Sequence, residues 1–199
     1  VRFNRGVQLE YLLTEHRSDN TRSKTLEGSR ADFHRYIVEP ENIQSEDYYQ
    51  SMYEIIFRAN NVLKYVENAD ASNINKYAAE AKFLRALSYF KLVKSFGSVT
   101  VNLSAAPSLT DTSILGRQPA DQVYNSVIIP DLNAAIIGLS TTIVDGRASK
   151  YAAQGLLGKV YATMGDFSNA ETQLAAVING AAGAGIALEP NFNDIFGAS

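Results

Sequence analysis

Residues 77–101, YAAEAKFLRALSYFKLVKSFGSVTV, constrain the fold more than any other stretch of this chain. Ala79, Phe83, Ala86, Phe90 and Val93 recur at steps of four and three, which places them on one face of a 3.6-residue helix. A second stripe, Ala81, Leu84, Tyr89 and Leu92, fills much of the remaining circumference, and Lys82, Ser88, Lys91 and Ser95 are left for water. A helix that is apolar on two sides must be covered on two sides. Gly97 directly after Phe96 predicts a left-handed C-cap, with residues 99–101 leaving in an extended conformation.

Glu80 and Arg85 are the charges that stand among apolar neighbours in this stretch. One reading makes them structural anchors that reach carboxylates, amides or backbone of neighbouring helices. The other makes them a catalytic acid beside an arginine. Buried charges persist by pairing, and no nucleophile or base stands near them in sequence, so the anchor reading is adopted.

The same 3.6-residue period recurs along the chain and predicts helices near 7–14, 47–66, 76–96, 119–139, 150–164 and 168–179. In the second of these, Tyr49, Met52, Tyr53, Ile56, Ala59, Leu63 and Val66 form the inner face, Ser45 is the expected N-cap, and the Asn60 amide is expected to bond a neighbouring helix. Pro130 interrupts the fourth, so a kink or break is expected near 126–131. Ser149 is the natural cap of the fifth, with Leu156, Leu157, Val160, Tyr161 and Met164 as its buried stripe. Ser168 and Glu171 form a capping box for the sixth, whose inner face is Leu174, Val177 and Ile178. Between the first two helices, residues 15–35 are polar and without period. A segment of that kind is functional or disordered.

The last two helices fit the tetratricopeptide template. Gly158 and Ala170 are small enough to let two backbones approach, and Leu157, Tyr161, Leu174 and Val177 fill the groove beside them. One such pair cannot bury its own face, so repeats must stack. The expected fold is all-α, a tetratricopeptide-like array of helix pairs with long irregular loops, over residues 1–199 as a single domain.

Composition narrows the function. A formal charge of −3 with dispersed lysines and arginines argues against a nucleic-acid surface. No apolar run approaches the roughly 20 residues of a membrane helix. Without cysteine there are no disulfides, thiolate metal sites or cysteine nucleophiles. The chain begins at Val1 rather than methionine, which suggests processing or trimming.

Catalytic and metal motifs are absent from the sequence. His16 and His34 are isolated, in no HxxxH or HExxH pattern, and read as solvated loop residues. There is no GxSxG, Walker A or strand-preceded GxGxxG; the glycines at 180, 183 and 185 read as a linker. Asp19 and Asp32 are the carboxylates that glycoside hydrolysis would need as a pair, but nothing in the sequence sets their separation. The expectation is a non-enzyme without cofactor or metal.

Several of these segments also resemble one family. In residues 80–99, Glu80, Ala81, Phe83, Leu84, Arg85, Ala86, Tyr89, Phe90, Leu92, Val93, Phe96, Gly97 and Val99 fall in register with the signature of SusD/RagB-like outer-membrane nutrient-binding lipoproteins, with Thr100 where the family usually has proline. YQSMYEIIFRANNVL, VYNSVIIPDLNAAIIGL and the Gly146-Arg147 to Ala153 run resemble further family segments; Tyr49 replaces a usual tryptophan. The resemblance implies the N-terminal, helical part of a longer protein, held at the cell surface of the outer membrane by a lipid on a cysteine upstream of Val1. It implies capture of an oligosaccharide, less often a peptide, for a SusC-like TonB-dependent transporter. The alternative is a tetratricopeptide-like scaffold that binds a protein partner and has no small-molecule site. Sugars pair apolar C–H patches with hydroxyls and call for exposed aromatics beside amides and carboxylates. With no tryptophan in the chain, the candidate ligand residues are Asp19, Asn20, Phe33 and Tyr36.

Overall fold

The computed structural model describes residues 5–18, 20–22, 24, 28–106, 110 and 112–195. Its elements are α1 (Arg5–Thr14), a short α2 (Ala31–His34), α3 (Ile43–Tyr65), α4 (Ile74–Phe96), strands β1 (Val99–Thr100) and β2 (Arg117–Gln118), α5 (Ala120–Val123), α6 (Ile129–Gly138), α7 (Lys150–Met164) and α8 (Phe167–Ala181). The fold is all-α and tetratricopeptide-like, as the periodicity implies. The two strands pair antiparallel, Val99 opposite Gln118 and Thr100 opposite Arg117.

Two compact units divide the chain: the described residues of Val1–Tyr65 with Leu84–Ile128, and those of Val66–Phe83 with Ile129–Ser199. In the first unit α1 packs on α3. Its interior is aromatic. Tyr49 meets Phe96 edge-on at 5.3 Å between ring centroids and Tyr53 at 4.6 Å, while Tyr53 stands T-shaped to Tyr89 at 6.4 Å. Polar side chains stitch the same region. The Tyr53 hydroxyl donates to the Thr100 carbonyl (2.6 Å), and the Tyr89 hydroxyl both donates to the Asn102 carbonyl (3.0 Å) and accepts from its N–H (2.9 Å). Buried Asn60 donates to the carbonyls of Asn102 and Ser104 and accepts from Arg85 at 2.8 Å. Arg85 is thus the expected anchor, with an amide as a partner. Asn60 serves the loop after β1 as well as the neighbouring helix.

In the second unit α6 packs on α7 and α7 on α8. Here the residues are small. Ala79, Ala135, Leu139 and Ala153 form the core, with Phe83, Ile136 and Ala148 against it. A Cβ on Gly158 would stand 2.7 Å from Leu174 Cγ, so a side chain there would displace Leu174 from its place against α7. Ser149 caps α7 by accepting from the Ala152 N–H at 3.2 Å.

Several expectations need correction. The N-cap of α3 is Asn42, whose Oδ1 accepts from the N–H groups of Gln44 and Ser45, because an asparagine two residues before Gln44 reaches donors that Ser45, already inside the helix, does not. Asp166, not Ser168, caps α8 by accepting from the Asn169 N–H. The interruption expected before Pro130 is present, as a π-helical turn over Tyr124–Ile128. The wider turn eases the clash between the proline ring and the carbonyl four residues earlier. Ser88 is buried and satisfied by the Leu84 carbonyl at 2.8 Å, whereas Leu84 is exposed. Met164, Leu174 and Ile178 are also exposed, Ile178 by 74%; Ala170 and Ala181 are the buried residues of α8, because helices this close leave room only for small side chains between them.

Candidate functional site

The polar segment after α1 is organised by short local bonds. One tighter turn, Glu15–Arg17, extends α1, and the Ser18 hydroxyl donates to the Glu15 carbonyl. His16 is not solvated: it is buried, its Nδ1 lies 3.1 Å from the Thr21 hydroxyl, and Tyr11 meets its ring edge-on at 5.0 Å. Asn42, besides capping α3, donates to the Ser29 carbonyl (2.7 Å) and to Asp32 Oδ2 (3.0 Å), which ties the loop and α2 to the start of α3. Asp32 therefore serves structure rather than open water.

The four predicted ligand residues separate. Phe33 is 1% exposed, a core residue of α2 and not a ligand contact, because the turn of α2 points it inward with Ala31. Asp19 lies outside the described residues. Asn20 is exposed. Tyr36 is 57% exposed and takes a left-handed backbone conformation (φ 57°), which is uncommon for a residue with a side chain. Its hydroxyl donates to the Arg17 carbonyl at 2.9 Å, which brings Tyr36 to the segment leading into Asn20.

Beside this loop runs a cleft of about 110 Å³ lined by Glu10, Leu13, Thr14 and Arg17 of α1 and its extension, Tyr48 of α3, and Lys91, Lys94 and Ser95 of α4. Lys91 Nζ lies 2.5 Å from Glu10 Oε2. Lys94 Nζ sits 5.3 Å from the centroid of the Phe90 ring. Burial, reinforced by the Glu10 charge, pushes the Tyr48 hydroxyl up to about 12 despite its bond to Ser95, so it stays protonated. Sequence reasoning missed this cleft. Its signal is the spacing 10, 13, 14, 17 on one helix and 91, 94, 95 on another, which has meaning only once the two helices are known to be neighbours.

In the second unit, Glu80 is the other predicted anchor. Both its carboxylate oxygens accept from Arg147, Nε to Oε1 at 2.8 Å and a terminal nitrogen to Oε2. The carboxylate in turn holds the guanidinium above its ordinary pKa. A cavity of about 300 Å³ opens beside the pair, lined among others by Lys76, Leu139, Thr142 and Val144. A shallower one of about 460 Å³ is lined by Asn75, Lys82, Ala134 and Ile137. Gly138 borders both. Among the described residues no three histidines or carboxylates gather as a metal site, and no helix is long and apolar enough to cross a membrane.

Helical pairs of tetratricopeptide type, carrying polar clefts at their loops, define an all-α helical-repeat protein. Within that class the chain belongs to the SusD-like family: the family model described as "Starch-binding associating with outer membrane" matches residues 3–162. It is 31% identical over 175 residues to SusD-like protein P2 of Formosa agariphila, an alignment covering 86% of this chain and 34% of that protein. A crystal structure of a SusD superfamily protein from Parabacteroides distasonis matches with a TM-score of 0.72 and 27% identity, over 92% of this chain and 43% of the other. A laminarin-binding SusD-like protein matches with a TM-score of 0.69 and 29% identity, over 86% and 42%. The chain thus spans about a third of the length of the curated relative and under half of each solved structure.

Proposed function

We propose that the protein containing this chain binds oligosaccharides at the outer-membrane surface, without turning them over, and passes them to a SusC-like TonB-dependent transporter. The observation that carries this reading is the family match over residues 3–162, together with a laminarin-binding relative of the same fold. In this reading a lipid anchor holds the protein at the membrane. Stacked helix pairs present extended surfaces suited to a large protein partner, so the helical scaffold supplies the transporter contact. Loops on a rigid scaffold supply ligand contacts; here these are the exposed Asn20 and Tyr36, with Asp19 between Ser18 and Asn20 in sequence. Tyr36 offers an aromatic face of the kind a sugar ring stacks on.

Calorimetry of the full-length protein and of this chain against laminarin oligosaccharides, other glycans and peptides tests the reading, alongside co-purification with a TonB-dependent transporter. Glycan binding by the full-length protein without release of reducing ends supports it. Capture of a soluble protein partner with no glycan or transporter bound would favour the scaffold alternative, and release of reducing ends would make the protein an enzyme.

A further inference from the structure

We infer that the cleft between α1 and the last turns of α4 is a subsite for an acidic substituent, a carboxylate or a sulfate ester, carried by the glycan; this rests on the glycan-binding reading above. Three cations line it, Arg17, Lys91 and Lys94, against one carboxylate, Glu10. Glu10 neutralises Lys91 at 2.5 Å. The charges of Arg17 and Lys94 face no carboxylate in the lining, in a chain whose net charge is −3. A local positive surface on an acidic chain draws an anion to that place rather than to the whole molecule.

Size selects what enters. Sites that enclose a whole small molecule measure about 300–1,000 Å³. This cleft is about 110 Å³, the scale of one compact group, so the sugar ring stays outside and its substituent enters. The guanidinium fork of Arg17 matches a planar carboxylate or two sulfate oxygens in a way that a point charge does not. Tyr48 and Ser95, whose side chains bond each other, complete the lining with neutral polar groups.

The backbone geometry points to the same place. Tyr36 adopts its left-handed conformation while its hydroxyl grips the Arg17 carbonyl. Strain of this kind persists where the surroundings over-determine it, and it gathers at functional positions. Its effect here is to hold the backbone of the arginine that faces the cleft.

The experiment is calorimetry of the full-length protein with three probes of similar length: an oligogalacturonate, a sulfated galactan oligosaccharide and a neutral laminarin oligosaccharide. Inorganic sulfate serves as a fourth. The variants are Arg17→Gln with Lys94→Gln, and Arg17→Lys; both positions are exposed, and circular dichroism checks that the fold is kept. At least one acidic probe should bind more tightly than the neutral one, and more weakly as salt rises. The double variant should lose roughly tenfold or more of that affinity, the size expected for removing charge-assisted hydrogen bonds, while binding of the neutral probe stays unchanged. Arg17→Lys should restore part of it.

Binding of the neutral probe alone, or acidic binding indifferent to the double variant, would overturn the subsite and leave the glycan-binding reading standing. Sulfate binding without any acidic glycan would overturn the ligand class. Failure of both acidic oligosaccharides while other glycans bind would overturn the subsite alone; failure of every glycan in the wider panel would remove the glycan-binding reading itself, and the subsite with it.

Discussion

In the first unit Tyr53 reaches a carbonyl 47 residues away in sequence, and Arg85 reaches the Asn60 amide 25 residues away. In the second, Gly138 and Ala79 leave no room for one added carbon: a Cβ on Gly138 would stand 2.7 Å from Ala79 Cβ and 3.1 Å from the Asn75 carbonyl. One helix, α4, contributes to both, its Ala78, Ala79 and Ala81 to the second unit and its Arg85, Tyr89 and Phe90 to the first. The contrast shows two ways of joining helices. Large aromatics with satisfied polar tips hold irregular loops in place, because each buried hydroxyl or amide specifies its partner. Small residues hold helix against helix by close van der Waals contact. The first arrangement is sensitive to what is removed and the second to what is added.

The sharpest way to break the comparison is Arg85→Ala. Arg85 is 9% exposed, and its guanidinium is bonded to an amide that is itself buried. Losing a charge-assisted bond and leaving Asn60 Oδ1 without this donor should cost about 3 kcal/mol. Urea unfolding measures it, and a midpoint equal to the parent's would mean that the loop after β1 is held without this network.

Gly138→Ala tests the opposite sensitivity. The Asn75 carbonyl is backbone and cannot turn aside, so α6 must shift away from α4. Overpacking of this kind costs about 2 kcal/mol, although alanine is the better helix former. Thermal unfolding above the parent's would show that the contact has slack.

A third effect is confined to alkaline solution. The Tyr48 hydroxyl is raised from its ordinary 10 to about 12 by burial and, second, by the Glu10 charge, and Tyr53 and Tyr124 are raised as well. The folded state thus favours the neutral phenol. Its contribution is complete below the unfolded value near 10 and is lost as pH climbs from 10 through about 12. Urea midpoints recorded across that window should fall, and Tyr48→Phe should make the fall shallower. Identical slopes for parent and variant would exclude Tyr48 as a source.

The smallest effect is expected at Phe167→Ser. The ring is 72% exposed, and a surface substitution away from packed features changes stability by less than about 0.5 kcal/mol. A loss several times larger, seen by calorimetric unfolding, would place Phe167 in a contact and extend the second unit beyond its small-residue core.

Much of this organisation was legible in the sequence because helix formation is local. Periodicity located every long helix to within a few residues, Gly97 ended α4 with the expected positive φ (70°), and Ser149 capped α7 as read. Glu80 and Arg85 were identifiable as anchors because a charge among apolar neighbours needs a partner wherever that partner lies. The partners themselves, Arg147 and Asn60, depend on which helices meet. So does the choice of buried face on a helix apolar all round, which is why Ser88 went inside and Leu84 outside. Phe33 read as a loop aromatic because four-residue α2 is too short to show a period; only packing draws it into the core. The cleft of Arg17, Lys91 and Lys94 was decided in the same way. Arg17 lies more than 70 positions before Lys91 and Lys94 in the chain, and no local rule sets charges together across that separation.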